Sequence, residues 1–374
     1  MSIADRVPDY IRNLVPYAPG KPIEEVEREY GISGAAKLAS NENPLGPSPK
    51  AIAALAARLN ELNLYPDGDS FYLKAALARK LGVPRDHLIV GNGSNELIEL
   101  AARTFMSPGD EAVVSAGTFV AYRLVLDAMG CVAKSVPLRH FAYDLDAMAK
   151  AITADTRCVF LANPNNPTGT IYGRVEWESF LESLPPEVLV VADEAYFEYV
   201  DEPSYPDSLE YHTEGRSILT LRTFSKIFGL AGLRIGYGVS DTDTIKLMNQ
   251  VRQPFNVNAA SQWAAVAAID DVEHINRSIA VNRSGKEYLT QSLDELGVSY
   301  VAGHANFLLV ETGAVAMVFE RLLRLGVIVR PLGGDLPEHI RVTIGTQEEN
   351  EKFIRALTAV RNDGLVEADK GVED

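Results

Sequence analysis

Val188-Leu189-Val190-Val191-Ala192-Asp193-Glu194-Ala195-Tyr196 is the stretch whose reading sets the fold class. Its five leading residues are apolar without alternation, so they read as a strand covered on both faces. The run then ends abruptly in an acid. Open α/β sheets bind their ligands at the carboxyl ends of strands. Asp193 is therefore a candidate metal ligand, the partner of a cationic ring nitrogen on a cofactor, or simply a helix cap. No GxxxxGK[ST] run occurs in the chain, which removes the nucleotide-site reading of a strand-end acid.

Outward from this strand, residues 70–240 alternate apolar runs with segments of helical period. The predicted strands are Leu88–Val90, Ala112–Ser115, Val132–Val136, Cys158–Leu161, Val188–Ala192, Ile218–Leu221 and Ile235–Gly238. The predicted helices include Ser94–Phe105, Phe119–Met129, Leu145–Ala151, Val175–Leu184 and Thr242–Val251. This alternation predicts an α/β domain with a mostly parallel central sheet flanked by helices. Residues 1–40 read as irregular, apart from a charged helix around Glu24–Tyr30. The run Asn41-Glu42-Asn43-Pro44-Leu45-Gly46-Pro47 reads as a crossing loop, and Ala51–Leu62 as a helix. The pattern changes near residue 270. A long polar helix to Leu296 is followed by strands Ser299–Val301, Phe307–Glu311, Val327–Val329 and Ile340–Ile344, with helices at Val315–Leu325 and from Gln347 to Val360. The expected division is an N-terminal arm and part of a small domain at 1–45, a large α/β domain at 46–270 and a small α+β domain at 271–374, its last residues frayed.

Other strand ends carry polar groups as well. Thr223-Phe224-Ser225-Lys226 follows the strand Ile218–Leu221, and Arg234 comes eight residues after Lys226. A lysine placed there can act as an amine nucleophile if its surroundings lower its pKa, and hydroxyls with an arginine suit a phosphate. The ordinary alternative is a solvated lysine. Asn163-Pro164-Asn165-Asn166-Pro167-Thr168-Gly169 follows the strand Cys158–Leu161; it is either a plain turn or the means of presenting an Asn amide to a ligand. Gly91-Asn92-Gly93-Ser94-Asn95 lies between a strand and a helix, where backbone N–H groups can cradle a phosphate or the serine can merely cap the helix. A phosphate cradle, an amide, an acid and a lysine on one sheet edge are together the set that a pyridoxal phosphate site requires.

The bulk composition narrows the function classes. A formal net charge of −16 argues against nucleic-acid binding, and an anionic substrate would need arginines focused in a cleft. The two cysteines, Cys131 and Cys158, stand alone in apolar runs, so neither a disulfide framework nor a structural zinc is expected. The six histidines show no paired spacing, and no metal site is expected. With no signal-peptide pattern and no apolar run long enough to span a bilayer, the sequence predicts a cytoplasmic protein with no membrane partner.

These motifs resemble the fold-type-I pyridoxal-phosphate aminotransferases, and most closely the histidinol-phosphate aminotransferase family. The likeness runs from Pro16-Tyr17-Ala18-Pro19-Gly20 through Asn41-Glu42-Asn43-Pro44, Tyr65-Pro66, Asn165-Asn166-Pro167, Asp193-Glu194-Ala195-Tyr196 and Ser225-Lys226 to Arg341-Val342-Thr343-Ile344-Gly345. It implies pyridoxal 5'-phosphate as cofactor, held covalently by Lys226, which also moves the substrate proton. Asp193 would face the ring nitrogen. Tyr196 and Asn166 would bond the phenolic oxygen. Gly93, Ser94, Asn95, Thr223, Ser225 and Arg234 would hold the phosphate, and Phe119, where relatives often carry Tyr, would stack on the ring. Tyr17, Asn43, Tyr65, Arg330 and Arg341 would meet the substrate, Tyr65 from a neighbouring subunit of a homodimer with shared sites. The implied reaction is amino transfer between histidinol phosphate and 2-oxoglutarate, forming glutamate. Rival readings are an aromatic amino-acid aminotransferase, a lyase resembling threonine-phosphate decarboxylase, and a non-enzymatic cofactor-binding regulator. The last is disfavoured by the net charge and by the lack of a DNA-binding module.

Overall fold

The computed structural model describes residues 2–17, 20–212 and 216–370, the last eight of these by backbone alone. Among the described residues, twelve strands form two sheets. In chain order they are β1 Ala36–Leu38, β2 Leu88–Gly91, β3 Glu111–Ser115, β4 Val132–Val136, β5 Thr156–Ala162, β6 Leu189–Asp193, β7 Ile218–Thr223, β8 Gly236–Val239, β9 Tyr300–Val301, β10 Phe307–Glu311, β11 Val327–Pro331 and β12 His339–Thr343. The larger sheet has the order β2-β8-β7-β6-β5-β3-β4. All its pairings are parallel except those of β8, which runs antiparallel to both β2 and β7.

The unbroken apolar runs are explained by cover on both faces. In β2, Ile89 joins one buried cluster, with helix Ser94–Phe105, while Leu88 and Val90 join the other, with helices Phe71–Leu81 and Ala259–Ile269. Each such side chain contributes about 1.5–3 kcal/mol by leaving water, so a strand exposed on one face would forfeit half its apolar content. Every residue of β6 is buried.

The smaller sheet has the order β1-β11-β12-β10-β9 and is antiparallel apart from the parallel pair β1–β11. β1 was not expected; it lies in a region that reads as irregular, and its partner stands some 290 positions later (Ala36 pairs with Val327). We propose that the chain divides at 45/46 and at 270/271. Helix Val272–Glu295 then serves both parts, since Ile275 and Ile279 pack on the large domain's apolar cluster and Leu289 and Leu293 on the small one's. The helix expected over Ala51–Leu62 is instead Pro49–Ala56 followed by a 3-10 turn at Leu59–Glu61. The final helix runs from Gln347 to Lys370, beyond its expected end near Val360, so the expected fraying does not describe residues 366–370; residues 371–374 lie outside those described. No helix among the described residues is long and apolar enough to cross a membrane.

Candidate active site

The parallel topology brings the ends of β2, β5, β6 and β7 to one edge of the large sheet, where a cavity of about 230 Å³ opens. It is lined by Ser94, Asn95, Phe119, Asn166, Asp193, Tyr196, Thr223, Ser225, Lys226 and Arg234. Gly93 lies just behind this wall. Its φ is +79°, and a Cβ there would fall 2.6 Å from Arg234 Nη2. Only glycine lets the guanidinium close over the N-terminus of helix Ser94–Phe105. Arg234 donates to the carbonyl of Ala231, which leaves its charge facing a neutral acceptor. A helix N-terminus, two hydroxyls and this cation make one end of the cavity an anion cradle.

The other end holds Asp193, only 4% exposed. Its Oδ2 accepts from Tyr122 Oη at 2.8 Å and its Oδ1 from the Ala195 N–H at 3.2 Å. Burial pushes its pKa up to about 6 against the pull of these donors. Behind it, Arg222 donates through Nε and Nη2 to Glu194 at 2.9 and 2.8 Å, and through Nη2 to Asp207 at 2.7 Å. Glu194 and Arg222 are 2% and 4% exposed. This buried pair clamps the end of β6 to β7, and removing one partner would strand the other charge at about 3–5 kcal/mol.

Between the two ends stands Lys226. Its Nζ donates to the Ser40 carbonyl at 3.3 Å and lies 5.5 Å from the centre of the Tyr196 ring. Burial, and next the nearby Arg341 cation, lower its pKa to about 7. Much of the amine is then unprotonated and nucleophilic near neutrality. The Tyr196 hydroxyl accepts from Asn41 Nδ2 at 2.8 Å, and burial raises its pKa to about 12, so it stays a phenol that can donate.

A second cavity of about 480 Å³ adjoins the first through the shared Phe119 and Asn166. Tyr17, Arg330 and Arg341 line it. Arg330 and Arg341 are direct cross-strand partners on β11 and β12, and the Arg330 guanidinium lies 5.2 Å from the Tyr17 ring centre. Arg341 donates to Asn166 Oδ1 and to the Ala39 carbonyl, both at 2.6 Å, and its buried Nε has no hydrogen-bond partner.

Two expected substrate residues lie elsewhere. Asn43 does not line either cavity. Its amide is spent on the Ile227 carbonyl and Ser278 Oγ, both at 2.8 Å, and its Oδ1 accepts from the Leu45 N–H at 3.0 Å, so it locks its loop instead. The asparagine of that run that meets the cavity lining is Asn41, whose Nδ2 donates to Tyr196 Oη and whose Oδ1 accepts from Thr343 Oγ1. Tyr65 is 84% exposed, stacked on Phe255 at 5.0 Å, and lines a separate apolar hollow with Leu64, Tyr72 and Trp263. Tyr122 went unselected from the sequence, although it sits three residues after Phe119.

The family model for aminotransferases of class I and II matches residues 34–357. A histidinol-phosphate aminotransferase of Nitrosococcus oceani is 52% identical over 352 residues, which span 94% of this chain and 95% of that protein. One from Moorella thermoacetica is 52% identical over 355 residues, 94% of this chain and 92% of its own length. Among solved structures, histidinol-phosphate aminotransferase from Sinorhizobium meliloti in complex with pyridoxal-5'-phosphate superposes with a TM-score of 0.89 at 27% identity, covering 96% of this chain and 98% of that one.

Proposed function

We propose a residue-by-residue account of a chain that belongs to the class I and II aminotransferases and, among them, to the histidinol-phosphate aminotransferases. It is a pyridoxal-phosphate-dependent transaminase of histidine biosynthesis, acting on histidinol phosphate. The residues present suit that cofactor. The cradle at Gly93 and Arg234 matches a phosphate, the buried Asp193 a protonated ring nitrogen, and the Lys226 amine an aldehyde between them. Bound there, the cofactor supplies an electron-withdrawing ring that takes up the electron pair of a breaking Cα–H bond.

The protein's own groups do the remainder. Lys226 Nζ would take the proton from the substrate Cα and return it to the cofactor carbon on the far side of the substrate nitrogen. Asp193 would keep the ring nitrogen protonated, and Tyr196 would donate its phenol proton toward the ring's oxygen. Because Arg341 holds Asn166 Oδ1, the amide's Nδ2 is left as the donor to that oxygen. Phe119 lines both cavities, where it would cover one face of the ring.

The observation that carries the substrate reading is the register of Arg330 opposite Arg341 at the second cavity. Two guanidiniums suit a phosphate-bearing amine better than an aromatic amino acid. Their position also answers the net charge of −16, which would otherwise repel an anion. The amino acceptor is 2-oxoglutarate, whose carboxylates fit the same pair. The working form is a homodimer in the cytoplasm, in which the exposed Tyr65 reaches the partner's site from its apolar hollow.

Arg330→Ala tests this reading. With charge-assisted hydrogen bonds worth about 1.5–3 kcal/mol, KM for histidinol phosphate rises about tenfold to a hundredfold. The absorbance of the bound cofactor stays as in the parent. An unchanged KM in steady-state assays would remove Arg330 from phosphate recognition.

A further inference from the structure

We propose that Tyr122 is a positioning residue for the reaction, its hydroxyl aiming the Asp193 carboxylate and its ring setting the height of Phe119. The proposal rests on the assignment of Asp193 to the cofactor's ring nitrogen. Three contacts of one side chain carry it. Tyr122 Oη donates to Asp193 Oδ2 at 2.8 Å. Its ring stacks on Phe160 with centroids 5.3 Å apart, and it meets Phe119 edge-on at 5.6 Å and 90°. It stands in the first turn of the helix Val120–Met129 and donates its backbone N–H to the carbonyl of the N-cap Phe119 at 3.2 Å, which ties the two aromatic residues together.

Packing alone asks only for an aromatic ring at this position. The residue is fully buried, and phenylalanine would fill the same space between Phe160 and Phe119 without a polar group to satisfy. The hydroxyl has a specific partner, the carboxylate that faces the cavity. Burial holds the phenol well above its ordinary pKa, so it acts toward Asp193 only as a donor. Asp193 thereby has one donor on each oxygen, Tyr122 and the Ala195 N–H, and of these two residues Ala195 lines the cavity while Tyr122 lies behind it. With one donor gone, the carboxylate becomes more basic and free to rotate. A proton shared with the ring nitrogen then moves toward the acid, which weakens the ring as an electron acceptor.

Tyr122→Phe keeps both ring contacts and deletes only the donor, so its melting temperature should stay close to the parent's. In the holoenzyme kcat should fall about tenfold to a hundredfold, with KM for histidinol phosphate unchanged. With cofactor labelled at the ring nitrogen, the ¹⁵N chemical shift should move toward the unprotonated value, a signature that packing alone would not move. Parental kcat and parental ¹⁵N shift would overturn the proposal. Asp193→Asn, measured alongside, separates the two levels. If it is impaired while Tyr122→Phe is parental, only the role of Tyr122 fails. If both are parental, the assignment of Asp193 fails and takes that of Tyr122 with it.

Discussion

Lys226→Ala abolishes turnover, by at least about 10⁴-fold, while the protein still folds. The proposed amine has two duties, covalent capture of the cofactor and proton transfer at the substrate Cα, and alanine can perform neither. Asp193 and the Gly93–Arg234 cradle remain, so the variant retains non-covalent affinity for the cofactor. Parental activity in this variant would dismiss Lys226 as the attachment point. The same lysine leaves a mark on the cofactor-free protein. Its folded-state pKa is lowered to about 7 from an ordinary 10.5, so between those values the unfolded chain binds more protons than the folded one. Stability contributed through this group therefore rises with pH across that window, and its deficit is fully present below about 7. Lys226→Met, which keeps the stem without the charge, removes the deficit. Melting curves of the two cofactor-free proteins should differ most near pH 7 and converge toward pH 10, with the variant the more stable. A gap that is constant with pH would mean that the amine is not held at a lowered pKa.

The second large effect belongs to Asp193. Asparagine preserves its shape and can still accept from Tyr122, but it cannot pair with a protonated ring nitrogen. The lost interaction is charged and buried, the setting in which one preorganised group is worth about 3–4 kcal/mol or more of transition-state stabilisation. Asp193→Asn should accordingly lower kcat at least about a hundredfold. Binding of histidinol phosphate should change far less, because Arg330 and Arg341 are untouched. Measured kcat at the parental level would exclude Asp193 from the chemistry.

The lining of the candidate cavity was legible where a polar residue follows an apolar strand. Asp193, Lys226 and the Gly93 loop each announce themselves in this way, because a buried parallel strand must end where its ligand-facing edge begins. Phe119, Thr223 and Arg234 fall near such ends too. Asn43 was not separated from Asn41 for a definite reason. Asn41 and Asn43 stand two residues apart in a loop with no period, and only the folded loop decides which amide turns toward Tyr196 and which toward Ile227 and Ser278. Tyr122 was hidden because on a helix it reads as one more core aromatic; its bond to Asp193 joins residues 71 positions apart. The facing of Arg330 and Arg341 depends on an antiparallel register that the ten intervening residues do not state. β1 was missed because three residues carry too little periodicity, and its stability comes from a partner strand near the other end of the chain.

The most direct test is a comparison of kcat/KM for histidinol phosphate, phenylalanine, tyrosine and threonine phosphate as amino donors to 2-oxoglutarate. The paired arginines predict that histidinol phosphate exceeds each of the others by at least about tenfold (~1.4 kcal/mol), with glutamate as the product. Phenylalanine or tyrosine used as well as histidinol phosphate, or carbon dioxide released from threonine phosphate without glutamate, would contradict the account.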